Sequence, residues 1–278
     1  MAIDGGADAP LYGRHPVLEL LRSGSRRVEE IAILGEGRGP ALHDLLILAR
    51  RLGVRVSYRT RDQLTAMAGT PHHQGVVARV AEASYHDLDA ILAVPGERGQ
   101  APFLLALDRV QDPGNLGALL RTAEAAGVHG VVVPRHQAVG LTPAVARAAM
   151  GAMEIVPVAR ETNLVNALDV MRDRAIWIAG AVSSGGTPPW EVDLTVPVCL
   201  VMGGEGEGIR PLVARRLDYR LTLPMHGKLR SLNVSAAAAA LCFEVVRQRT
   251  VVRRSGEPPA RQRTSHRAKP LDERPSGK

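Results

Sequence analysis

Apolar residues recur along this chain with two alternating periods, one helical and one extended. Between 11 and 80, "HPVLELLRSG" reads as a helix closed by Gly24, "VEEIAIL" as a strand and "ALHDLLILARRLG" as an amphipathic helix ending at Gly53. "VRVSY" is a further strand, Thr60 caps a short helix, and "GVVARV" is the last strand of this piece. The pattern predicts a small α/β domain. Residues 81–101, with Pro95, Gly96 and Gly99, change character and read as a linker carrying a short helix.

A second series starts at 102. The strands are "FLLALD", "GVVVP", "IVPVA", "AIWIAGAV", "VCLVMG" and "YRLTLPM". Helices "NLGALLRTAEAAG", "PAVARAAMG" and "NLVNALDVMRDR" fall between them, and "SAAAAAL" opens a final alanine-rich helix. Strands alternating with helices predict a parallel sheet covered on both faces, here a domain of residues 102–250. Ligands of such sheets bind at the carboxyl ends of strands. That directs attention to loops 109–115, 202–209 and 224–233.

Charge changes the picture less than its total suggests. Of the net +7, residues 253–278 supply +5, with eight Lys/Arg against three Asp/Glu. A Pro-, Ser- and Arg-rich tail over 251–278 is therefore expected to be disordered, either as an RNA-backbone contact or as a solubilising extension. The first ten residues hold Asp4 and Asp8 and no apolar signal segment, and no run suits a membrane span. Cys199 and Cys242 fall in apolar contexts and read as reduced thiols of a cytoplasmic protein. The histidines lack metal-ligand spacing, so no metal is expected.

Each of the three loops is ambiguous when taken singly. "GGEGEG" (203–208) lacks the third glycine of GxGxxG, where Ile209 stands, and has no P-loop Lys-Ser/Thr. Asn115 sits where a helix cap belongs, and Arg121, six residues on, is turned about 600° from it. Arg121 alone reads equally well as a solvated helix charge. Ser231 and Asn233 precede the alanine helix, where free N–H groups attract polar ligand atoms, and Ser231 also reads as a plain cap. Leu229, Leu232 and Val234 interleave with them and offer an apolar slot.

Together, "DPGNLGALLRTAEAAG", "LVMGGEGEG" and "LPMHGKLRSLNVSAAAA" resemble the three motifs of the SpoU/TrmH family of RNA ribose 2′-O-methyltransferases. "LYGRHPVLELL" and "HHQGVVARV", with a His-Gln-Gly turn at 73–75, resemble the RNA-binding domain of members that methylate a guanosine of large-subunit rRNA. The resemblance covers residues 11–250. It implies an α/β trefoil-knotted parallel-sheet catalytic domain, a small N-terminal α/β RNA-binding domain over 11–80, S-adenosylmethionine as cofactor, ribosomal RNA as partner and a homodimer. A knot also offers a reason for the alanines, since small side chains let a threaded chain pass close to backbone.

By the same resemblance, backbone at Gly203, Leu223 and Leu232 holds the cofactor, and Met225 and Ser231 line its slot. Asn115, Arg121, Ser231 and Asn233 surround the reacting hydroxyl, with Glu205 beside it or beside the methionine end. Arg121 suits a cation facing a developing oxyanion better than a base, because guanidinium stays protonated up to a pKa above about 12. Arg230, next to Ser231, is a candidate phosphate contact or a solvent-facing charge. Aromatic residues make up only 3% of the chain, which argues against a base-stacking platform. Open alternatives are another rRNA or tRNA nucleotide as target, including a resistance-type rRNA methylase, and an inactive RNA-binding protein of the same fold.

Overall fold

The computed structural model describes residues 9–35, 40–81, 83–228 and 231–255. The chain begins with β1 (Ala9–Tyr12), α1 (Arg14–Ser23), β2 (Val28–Leu34), α2 (Pro40–Arg51), β3 (Arg55–Arg59), α3 (Arg61–Ala68) and β4 (Val76–Val80). It continues through α4 (Leu88–Glu97), β5 (Phe103–Asp108), α5 (Pro113–Ala125), β6 (Gly130–Pro134), α6 (Pro143–Ala149), a 3₁₀ turn (Ala152–Glu154), β7 (Val158–Glu161) and α7 (Leu164–Asp173). The last elements are β8 (Trp177–Ala181), a 3₁₀ turn (Pro189–Glu191), β9 (Val198–Gly203), α8 (Pro211–Ala214), β10 (Tyr219–Leu221) and α9 (Val234–Ser255).

Contacts divide the chain into two units, one containing residues up to 86 with 111–125 and 139–158, the other the remainder. The first unit holds a four-stranded sheet ordered β1-β4-β2-β3. Strands β1 and β2 run antiparallel to β4, and β3 lies parallel to β2. β1 is an unforeseen four-residue edge strand. Local chemistry places the helices as the pattern predicted. Gly24 ends α1 in the left-handed conformation (φ 62°), and Thr60 and Gln63 exchange hydrogen bonds in a capping box at α3.

The His-Gln-Gly turn pins α1 to the entry of β4. Gln74 accepts from the backbone N–H of Arg14 through Oε1 (3.3 Å) and from Arg14 Nε through its carbonyl (3.2 Å). His73 is buried and accepts the Gly75 N–H at Nδ1 (3.0 Å), and burial holds its pKa below the usual histidine value. Also in this unit, Gly117 of α5 meets α6 so closely that a Cβ would lie 2.3 Å from that of Ala148.

The second unit is built on a six-stranded sheet ordered β10-β8-β9-β5-β6-β7, parallel from β10 through β6. Every residue of β5 is buried, as a central strand covered on both faces requires. Its core joins Leu104, Val201 and Ile178 of the sheet to Leu168 and Met171 of α7. Ile91 of α4 is fully buried in the same core, so the 81–101 segment contributes packing as well as connection. Cys199 and Cys242 are both buried and unpaired, and burial pushes each thiol up to about 12. No helix among the described residues is long and apolar enough to cross a membrane.

Several boundaries differ from the expectation. β7 begins at Val158 rather than Ile155, because Ala152–Glu154 forms a 3₁₀ turn and Pro157 offers no N–H. β10 stops at Leu221 rather than Met225, because Thr222 bonds instead to the loop after β8. Of Ala236–Ala240 only Ala238 is buried, and Ala236 and Ala240 face solvent, so close packing within the chain accounts for one face of α9 only. Residues 256–278 of the basic tail, with Leu229 and Arg230, lie outside the described residues.

Candidate active site

In the second unit the candidate loops leave the carboxyl ends of neighbouring parallel strands. β9 ends at Gly203 and turns at once through Gly204–Gly208, which close on themselves as an antiparallel bridge. The start of this turn, at Gly203 and Gly204, leaves room for hydrogen only. A Cβ on Gly203 would lie 2.2 Å from the Gly208 carbonyl carbon and 2.4 Å from the Ile209 nitrogen. Glu205 is exposed at the tip of the turn.

Two strands along, beyond β8, the exit of β10 is laced to the loop after β8. Val182 N–H donates to the Leu221 carbonyl (2.8 Å), Thr187 N–H to that of Arg220 (2.8 Å), and Thr222 N–H to that of Thr187 (3.0 Å). Thr222 Oγ1 donates to the Val182 carbonyl (3.2 Å) and accepts the Gly186 N–H (3.0 Å). Half-buried Leu223 and Met225 follow this fixed point, and exposed Ser231, Leu232 and Asn233 lead into α9. Gly203, Glu205, Leu223 and Met225 therefore share the carboxyl edge of one sheet.

The caps are not where they were expected. Asn233, not Ser231, caps α9, its Oδ1 accepting from Ser235 N–H (2.9 Å) and Ser235 Oγ (2.6 Å). At α5, Asp112 Oδ1 accepts the Asn115 N–H (2.7 Å), so Asp112 is the cap and Asn115 stands in the first turn. Asn115 is half-buried there, whereas Arg121, two turns on, is exposed and engages no carboxylate among the described residues. α5 belongs to the first unit by its contacts and follows the carboxyl end of β5 after a four-residue connection.

Sequence reasoning missed the ion pairs that hold these loops. Asp108, fully buried at the end of β5, accepts from Arg210 through backbone N–H (2.8 Å) and Nε (2.7 Å), while its carbonyl accepts the Gly204 N–H (2.7 Å). One residue thus clamps both ends of the glycine turn, its carbonyl at Gly204 and its carboxylate at Arg210. The available signal was an aspartate closing an otherwise apolar strand, which demands a buried partner. Beside it, Arg109 Nη1 pairs with Glu207, and Arg109 Nε donates to Gln137 Oε1 (2.9 Å).

Residues 102–243 match the SpoU rRNA methylase family, and residues 10–86 match the substrate-binding domain of RNA 2′-O ribose methyltransferases. YacO of Bacillus subtilis, named as a TrmH-family protein, is 41% identical over 87% of this chain and 96% of its own. The 23S rRNA (guanosine-2′-O-)-methyltransferase RlmB of Ralstonia nicotianae is likewise 41% identical over 87% of this chain and 96% of its own. Among solved structures, the SpoU methyltransferase AviRb of Streptomyces viridochromogenes, in complex with AdoMet, superposes with a TM-score of 0.73. It is 27% identical, over 87% of this chain and 90% of that one.

Proposed function

The chain belongs to the SpoU rRNA methylase family, and from that premise we propose that it transfers a methyl group from S-adenosylmethionine to the ribose 2′-OH of a guanosine in 23S rRNA, in the cytoplasm. The observation that carries this reading is the carboxyl edge of the second unit's sheet, where a glycine-rich turn and an apolar segment stand on strands flanking β8. The cofactor fits that edge. The crowded turn at Gly203 presents bare backbone, and Leu223 and Met225, with Leu232, offer apolar surface for an adenine. When bound, S-adenosylmethionine supplies a methyl group on an electrophilic sulfonium.

The chain's own residues supply position and charge. Methyl transfer needs the ribose oxygen held in line, a task for Asn115, Ser231 and Asn233. The 2′-OH is a poor acid, and Arg121 balances the negative charge that develops on it while pairing with the adjacent phosphate. Glu205 orients the ribose or the methionine end. On the first unit, exposed Arg50, Arg51, Arg55 and Arg61 with exposed Tyr58 on edge strand β3 support RNA binding by that sheet's flank.

A trefoil knot is supported by the chain's path, since β9 lies between β5 and β8, β10 lies beyond β8, and α9 returns to pack on β9. A homodimer is supported by α9. Ala236, Ala240 and Phe243 are exposed at helical spacing, with Val251 on the same face beyond the Arg247–Glu244 pair, and nothing in the chain covers them among the described residues.

Mass-spectrometric mapping of ribose methylation in rRNA and tRNA, from cells with and without the gene, tests the reading. Loss of one 2′-O-methylguanosine from 23S rRNA is expected, and identical maps would overturn it. Gly203→Ala, whose Cβ must push into backbone, is expected to weaken S-adenosylmethionine binding at least about tenfold by calorimetry.

A further inference from the structure

A cavity of about 400 Å³ opens in the second unit behind the glycine turn, at the carboxyl ends of β5, β6 and β7. None of the residues assigned to methyl transfer or to the cofactor lines it. Its floor is apolar, formed by buried Pro134, Leu164 and Val213, and its rim is polar, carrying Arg109, Gln137, Asn163 and Glu207. An apolar floor with a few converging polar groups, in a space of roughly 300–1,000 Å³, is the ordinary form of a ligand pocket.

The rim is held in a costly conformation. Arg109 and Gln137 both have left-handed backbones, with φ of 65° and 60°, and are two of only five non-glycine residues with positive φ among those described. These two meet each other at 2.9 Å, so the backbone strain at both positions converges on one orientation of the Arg109 guanidinium. That guanidinium is paired with Glu207, whose side chain is 75% exposed and stands on the glycine turn. An exposed carboxylate on a pre-aimed arginine occupies the place an incoming phosphate would take.

We propose that this cavity receives one unstacked nucleotide of the RNA substrate, its base against exposed Pro211 and Leu212 and its phosphate on Arg109 in place of Glu207. The inference rests on the reading of the chain as an RNA methyltransferase. RNA is read chiefly through splayed, unstacked nucleotides, and exposed aliphatic side chains take the face of a base in a protein with few aromatic rings.

Arg109→Gly suits the test, because glycine adopts a φ of 65° without strain, so the guanidinium is removed with no backbone cost in the folded state. Expected results are a KM for 23S rRNA raised about tenfold and a salt dependence of RNA binding lower by about one unit of slope, with S-adenosylmethionine affinity within about twofold, a readout that a loosened glycine turn would move. Millimolar GMP should shift the methyl resonances of Leu212 in the wild type and not in the variant. Gln137→Gly, also free of strain at its position, should act in the same direction. Unchanged KM and salt slope in Arg109→Gly overturn the proposal, and GMP shifts alongside them would mark a free-nucleotide site instead. Wild-type protein that leaves rRNA unmethylated yet shows the GMP shifts and an Arg109-dependent salt slope would overturn the proposed activity and support the pocket.

Discussion

Replacing Arg121 by alanine is expected to lower the turnover of methyl transfer by about 10²–10³, the usual loss when one preorganised group facing a developing oxyanion is removed. Affinity for S-adenosylmethionine should stay within about twofold, because the role assigned to Arg121 is realised as charge builds on the ribose oxygen rather than in cofactor binding. The side chain is exposed, so thermal stability should move by no more than about 0.5 kcal/mol, and lost activity cannot then be blamed on lost fold. Arg121→Lys separates charge from shape. It keeps a cation but loses the planar fork that grips a phosphate, so an intermediate rate with a raised KM for RNA is expected. Turnover of Arg121→Ala within about threefold of wild type would remove the arginine from the chemistry.

What could be read from the sequence follows the range of the interactions involved. β5 was legible because burial on both faces leaves an unbroken apolar run, and α3 because its capping box lies within four residues. The loops at the ends of β9 and β10 were legible from the parallel-sheet rule, and Glu205 stands at the tip of the first of them. Caps were misplaced where several capping residues compete. Asp112 and Asn115 both suit the start of α5, as Ser231 and Asn233 both suit α9, and only the bent backbone decides which oxygen meets which N–H. Pairs distant in sequence were not legible at all. Nothing local to Asp108 names Arg210, and the strain at Arg109 shows only in its φ angle.

Glu154→Ala should be the most destabilising of these substitutions. Residue 154 ends a 3₁₀ turn and carries a side chain only 3% exposed, paired with Arg26 at 7%. Arg26 meets the carboxylate with two nitrogens, Nη2 on Oε1 and Nε on Oε2 (3.1 Å), and Ser25 Oγ donates to the same Oε2 (2.5 Å). The guanidinium completes its bonding at the Ala81 carbonyl (3.3 Å). Removing the carboxylate strands a buried cation, which costs about 3–5 kcal/mol and should lower the melting temperature by on the order of 10 °C. Because water and salt reach the pair poorly, added salt should leave the wild type's advantage in place, unlike a surface pair. The double replacement Arg26→Met with Glu154→Leu should regain most of the loss, since two matched apolar side chains carry no desolvation cost. A single variant that melts within about 2 °C of wild type would show that solvent already reaches Arg26 and that the first unit does not depend on this pair.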